Sequence, residues 1–159
     1  MDEKEFETIV RQMTPKLYRT AVSLLWNDAD AADAIQEAIL TAWQKRGSLR
    51  NVPRFEAWLT RILINECRSQ QRRRRFRTVP IEETLDGADE PHFAPADTEL
   101  RDALRALPEK LRLPLILHHL EGYDLNEVAR MLRLSEPAVR GRIYQARKRL
   151  KAMLDEEVE

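Results

Sequence analysis

The side chains that contact nucleic-acid phosphates and base edges gather at two places in this sequence. The first is Arg61, Asn65, Arg68 and Arg72, which step by four, three and four and so share one face of a helix. An amide among guanidiniums is informative, because Asn reads base edges whereas Arg supplies phosphate binding. The plainer use of that Asn is a local helix hydrogen bond or simple exposure. The second place is residues 136–153. There Val139, Ile143, Ala146 and Leu150 step by four, three and four as a core stripe, leaving Arg140, Gly141, Tyr144, Gln145 and Lys148 outward. Arg and Gln pair bidentately with guanine and adenine in the major groove, and the flanking Arg142, Arg147, Arg149 and Lys151 suit phosphates.

The charge distribution supports two polyanion contacts. The 159 residues carry 27 basic and 27 acidic side chains, a net charge of zero that hides strong segregation. Residues 46–77 hold ten Lys and Arg against two acids, and residues 128–151 hold eight against one, whereas residues 78–127 hold four against twelve. Two basic footprints separated by an acidic block point to nucleic acid more than one solvated Arg-rich helix would.

Other chemistries find little support. There is no Gly-rich phosphate loop, no His-x-x-x-His and no Cys-x-x-Cys. Adjacent His118 and His119 would diverge by about 100 degrees on a helix, which disfavours a shared metal, so no metal or other cofactor is expected. The single Cys67 excludes a disulfide framework, reads as packing, and suits a reducing cytoplasm. The acids lie in linker or helix surfaces without a suggested cleft, so an enzyme is not expected. Apolar runs such as Leu113–Leu117 fall far short of the ~20 residues that span a bilayer, and the acidic start is no secretory signal.

Helices must position these residues. Low Gly with abundant Leu, Ala, Arg and Glu favours an all-α fold. Periodicity predicts helices over residues 3–26, 28–45 and 54–75, then 98–106, 109–120, 125–132 and 136–153. Pro15 and Pro114 predict bends within two of them. Phe55, Trp58, Leu59, Ile62 and Leu63 form the core side of the third. Residues 78–97 carry three Pro, one Gly and six acids with no Lys or Arg, the composition of a flexible linker that extends to at most ~70 Å. The expected organisation is therefore two small helical bundles, 1–77 and 98–159, joined by an acidic tether.

The second bundle contains a helix-turn-helix pattern. Asp124 and Glu127 have capping-box spacing, and Val128, Ala129 and Leu132 supply an apolar face on which small Ala129 permits close approach. Arg133-Leu134 makes the turn and Ser135 caps the next helix, with Pro137 in its first turn. An ordinary helical hairpin shares the periodicity, but the caps, short turn and basic outward face together favour DNA binding.

The stretch EGYDLNEVARMLRLSEPAVRGRIYQARKRLK closely resembles the promoter-binding helix-turn-helix of bacterial sigma factors of the extracytoplasmic-function group. Leu104–Gly122 resembles the family's approach to that motif, while Ala138, Gly141 and Gln145 depart from the Thr, Ser and Arg often found there. The resemblance continues through Leu17-Tyr18-Arg19, DADAADAIQEAILTAW (Asp28–Trp43) and FEAWLTRILINECRSQQRRRR (Phe55–Arg75), covering nearly the whole chain. It implies that Asp33, Gln36, Glu37, Leu40 and Trp43 grip core RNA polymerase. Without the family, Asp30, Asp33 and Glu37 are one exposed acidic stripe, and a neighbouring Trp also suits a protein partner.

The resemblance further implies that Arg61, Asn65, Arg68 and Arg72, with the loop residues Ser48, Leu49, Arg50 and Asn51, recognise and open the minus-ten promoter element. The loop would hold a flipped base; Phe55 and Trp58 are claimed by the core before they can stack. Arg140, Gly141, Arg142, Tyr144, Gln145, Arg147, Lys148 and Arg149 would bind the minus-35 element. Acids Asp86, Asp89 and Glu90 of the linker would pass through polymerase channels. The implied partners are core RNA polymerase, promoter DNA in double- and single-stranded form, and an anti-sigma factor, with no membrane insertion. The alternative reading is a stand-alone helix-turn-helix regulator with an N-terminal helical sensing or dimerisation domain; a pure protein adaptor is weaker still.

Overall fold

A computed structural model describes residues 1–49, 51–76 and 98–158, and these form two compact units of helices without a strand among the described residues. The expected linker, including Asp86, Asp89 and Glu90, and Arg50 of the loop lie outside the described residues.

The N-terminal unit contains α1 (Glu3–Leu25), α2 (Asp28–Gln44) and α3 (Phe55–Phe76). Asp2 caps α1 by accepting from the Glu5 amide at 2.8 Å, and Asn27 caps α2 by accepting from Asp30 at 2.9 Å. α1 continues as one helix through Pro15. Between α1 and α2 the chain turns at Trp26, which takes left-handed backbone angles (φ 53°) and sends its N–H back to the Val22 carbonyl.

The core of this unit is asymmetric. α1 contributes Phe6, Val10, Met13, Leu17, Ala21 and Leu24, and α3 contributes Phe55, Leu59, Leu63, Ile64 and Cys67. α2 contributes only Ala31, Ala34, Ala38 and Ala42, a small-residue seam that lets its backbone approach its neighbours closely. Two residues expected on the core side of α3, Trp58 and Ile62, are half-exposed, because the buried arc is rotated toward Leu59, Thr60, Leu63, Ile64 and Cys67. Phe6 sits edge-on to both Trp43 and Phe55, at 5.1 and 5.7 Å between ring centres.

The C-terminal unit contains α4 (Thr98–Ala106), α5 (Glu109–Leu115), α6 (Leu125–Leu132) and α7 (Glu136–Val158). The single helix expected over 109–120 is divided: a π-type turn replaces the α-helix over Ile116–Leu120, with the Glu121 amide reaching the Ile116 carbonyl at 3.0 Å. Gly122, at φ 81°, then lets the chain reverse. The buried Arg112 guanidinium donates to the carbonyls of Arg105 and Leu107 and so closes the end of α4; burial lowers its pKa. α7 runs to Val158, beyond the expected end at 153, since nothing in the acidic tail breaks a helix.

Candidate nucleic-acid interface

The helix-turn-helix assembles from local signals. Asp124 accepts from the Glu127 amide at 2.8 Å, and Glu127 accepts from the Asp124 amide at 3.1 Å, a complete capping box. α6 ends at Arg133, a non-glycine residue in the left-handed region (φ 57°), and the Leu134 amide closes on the Ala129 carbonyl at 2.9 Å. Ser135 then caps α7 through its hydroxyl, which accepts from the Ala138 amide. On α6 the core takes Met131 with Val128 and Ala129, while Leu132, expected there, is half-exposed.

α7 divides by face as its sequence predicts for three of four stripe residues. Val139, Ile143 and Ala146 are buried, and Leu150 is half-exposed at the stripe's far end. Arg140, Gly141, Tyr144, Gln145, Arg147, Lys148 and Arg149 are exposed, and Arg142 is half-exposed. Tyr144 stands out with 67% of its surface exposed. Gly141 lies opposite the buried stripe, and a Cβ built there would meet no atom within 4 Å. Glycine inside a helix costs about 0.5–1 kcal/mol relative to alanine, so nothing within this unit accounts for it.

A groove beside α7 is lined by His118, His119, Leu125, Ile143 and the cations Arg140, Arg147, Lys148 and Lys151. The two imidazoles do not splay as they would on a regular helix; their rings meet edge-on at 4.8 Å within the π-type turn. His118 Nδ1 lies 2.7 Å from the Tyr123 carbonyl. Burial, then His118 and Arg147, lower the pKa of His119. Among the described residues, no three His, Cys, Asp or Glu side chains converge on a possible metal position.

In the N-terminal unit, α3 turns Arg61, Asn65, Arg68 and Arg72 away from the buried arc, with Asn65 and Arg72 exposed and Arg61 and Arg68 half-exposed. Trp58 precedes them at the same spacing, so a half-exposed indole heads this face. Sequence reasoning assigned it to the core. The available signal was its register with Arg61 and Asn65 rather than with Leu59 and Leu63.

The chain between α2 and α3 forms two short 3-10 turns, Arg46–Ser48 and Val52–Arg54. Ser48 donates its hydroxyl to the Lys45 carbonyl at 2.7 Å, and Arg46 lies over the Trp43 ring at 3.5 Å. Ser48 and Asn51 are exposed and Leu49 is half-exposed.

On α2, Asp33, Gln36, Glu37 and Leu40 occupy one exposed face opposite the alanine seam. Leu40 is 51% exposed. Trp43 is half-exposed and packed on Phe6, so it borders this face rather than standing on it. Asp30 departs from the expected exposed stripe, being drawn into an ion pair with Arg74. Ile35 and Ile39 are half-exposed, an apolar flank that hydrophobicity alone would have buried.

The architecture has close counterparts. Residues 9–77 match the family model Sigma-70 region 2, and residues 97–150 match Sigma-70, region 4. The chain belongs to the extracytoplasmic-function sigma factors. The ECF RNA polymerase sigma factor SigM of Mycobacterium tuberculosis is 32% identical over 154 residues, covering 96% of this chain and 79% of that protein. RNA polymerase sigma factor SigV of Bacillus subtilis is 29% identical, covering 94% and 91%. Among solved structures, the sigma factor RpoE in complex with the anti-sigma factor NepR from Bartonella quintana aligns with a TM-score of 0.75 at 27% identity, over 96% of this chain and 98% of that one. CnrH in complex with the cytosolic domain of CnrY aligns with a TM-score of 0.73 at 28% identity, over 98% and 90%.

As a sigma factor, the chain binds core RNA polymerase and directs it to promoters for initiation. Matches to both regions disfavour the stand-alone regulator. Sigma factors are in general initiation factors without enzymatic activity of their own. No described helix is long and apolar enough to cross a membrane.

Proposed function

We propose that the two units divide the work of initiation, with 1–77 engaging polymerase and the minus-ten element, 98–159 reading the minus-35 element, and 78–97 serving as the tether. Asp33, Gln36, Glu37 and Leu40, bordered by Trp43, form the polymerase contact: a leucine rimmed by acids suits a desolvated protein interface better than solvent. Arg61, Asn65, Arg68 and Arg72 hold the minus-ten strand, and Ser48, Leu49, Arg50 and Asn51 receive an unpaired base. Flipping a base costs a few kcal/mol, so a preformed receiver is required; the half-exposed Trp58, on the face of Arg61 and Asn65, offers a ring for stacking.

Arg140, Gly141, Tyr144, Gln145 and Lys148 face the major groove, while Arg142, Arg147 and Arg149 anchor phosphates. The observation that carries this reading is the outward face of α7, where exposed Arg140, Tyr144, Gln145 and Lys148 lie away from buried Val139, Ile143 and Ala146 on a capped helix-turn-helix.

The chain supplies no catalysis and acts where polymerase acts, in the cytoplasm. An anti-sigma factor is its expected regulator, since the related RpoE and CnrH are each seen in complex with such a partner or a partner's cytosolic domain. The deciding experiment is promoter binding and melting with and without core polymerase. Selective melting only in its presence supports this function; selective operator binding by the free chain alone would favour a stand-alone regulator.

A further inference from the structure

Gly141 lies on the α7 face opposite the core, in a shallow open groove lined by Tyr144, Gln145, Lys148, Arg149 and Ala152. A side chain there would meet nothing in the protein, and glycine has ordinary helical angles at this position, so neither space nor backbone geometry calls for it. The residue weakens its own helix without internal compensation. Tyr144 and Gln145 follow one turn later on either side of it, so the missing Cβ leaves a notch between an aromatic ring and an amide. The floor of the notch is a methylene, and the peptide groups around it are engaged in the helix ladder. Such a notch offers van der Waals contact rather than hydrogen bonds. The major groove presents one apolar group, the C5 methyl of thymine.

We infer that Gly141 is a specificity-determining residue: its notch admits a thymine methyl of the upstream promoter element. Gln145, one turn on, takes the adenine of an A·T pair at or next to that position through N6 and N7. The inference rests on the reading of α7 as the helix that enters the major groove. An alanine at 141 fills the notch with its own methyl and strengthens the helix, so stability and recognition move in opposite directions.

The test uses the full chain with core polymerase on upstream elements selected from randomised promoters, with each thymine of that element replaced in turn by uracil. The parent is expected to lose about fourfold in promoter affinity at one position, the worth of one buried methyl group. Gly141→Ala is expected to raise the midpoint of thermal unfolding, bind the selected promoter more weakly than the parent, and show no uracil effect at that position. A parent indifferent to uracil throughout the element overturns the inference, as does a Gly141→Ala chain that retains the parent's uracil penalty. Arg140→Ala separates the two levels. If it alters base preference while the parent ignores uracil, α7 reads DNA and only the role of Gly141 falls. If Arg140→Ala, Gln145→Ala and Gly141→Ala all leave base preference unchanged, the reading of α7 falls too, and the inference with it.

Discussion

Arg74, near the end of α3, closes its guanidinium on the carboxylate of Asp30 in the first turn of α2. The pair ties the two helices and withdraws one arginine from the run Arg72–Arg75. Arg73 is also engaged, with Glu66 at 3.3 Å and the Ser69 hydroxyl at 2.9 Å, whereas Arg72 is exposed on the face of Asn65. Neighbouring arginines of one cluster therefore have different surroundings.

Arg74→Gln is expected to destabilise the N-terminal unit by up to about 1 kcal/mol, the upper range for a partly exposed pair, which lowers its unfolding midpoint by at most roughly 4–8 °C. Promoter binding by the holoenzyme should keep its salt dependence. Arg72→Gln should do the reverse, leaving the midpoint unchanged and reducing the slope of log affinity against log salt by about 0.7–0.9. Calorimetry and salt titrations measure both; an equal loss of slope in the two variants would contradict the division.

Reversing Asp33 and Glu37 together to Lys should weaken association with core polymerase at least tenfold, about 1.4 kcal/mol. Both side chains are exposed, and helix content should not change. Pull-down or fluorescence titration of the folded double variant checks this, and parental affinity would remove α2 from the polymerase contact.

Arg140 occupies the first turns of α7, where recognition helices touch base edges. Arg140→Ala should change which upstream bases are preferred, at a cost of ~1–3 kcal/mol at one position. Arg149→Ala should weaken all sequences alike and lower the salt slope by about 1. Gln145→Arg should shift preference toward guanine, because a guanidinium matches its two acceptors. Selection on randomised promoters at two salt concentrations separates reading from anchoring.

His119 gives a dependence on pH. Burial, His118 and Arg147 disfavour its protonated form. Its lowered folded pKa makes a contribution to stability that is present above the unfolded value of ~6.5 and lost as pH falls. Binding acts with the opposite sign: phosphates set against Arg147 and Lys151 in the same groove neutralise those cations and favour a charged ring. Promoter affinity should therefore tighten as pH is lowered, with proton uptake. His119→Gln should flatten that pH profile, which binding measurements from pH 5.5 to 7.5 would show.

Local chemistry made much of this molecule legible in its sequence. Caps depend on residues three positions apart, so Asp124 with Glu127 and Ser135 with Ala138 announce where α6 and α7 begin. The outward set of α7 follows from the spacing of Val139, Ile143 and Ala146, and the basic face of α3 from Arg61, Asn65, Arg68 and Arg72. Tertiary packing decided what periodicity leaves open, namely which of several apolar arcs is buried and which way a long side chain turns. α2 buries Ala31, Ala34, Ala38 and Ala42, leaves Ile35 and Ile39 half-exposed and turns Leu40 outward, because close helix approach favours small residues over more hydrophobic ones. The same competition exposes half of Trp58 and exchanges Leu132 for Met131. Arg74 is directed by Asp30, which a different helix carries. That relationship is not encoded within one helix, so only the packed structure determines it.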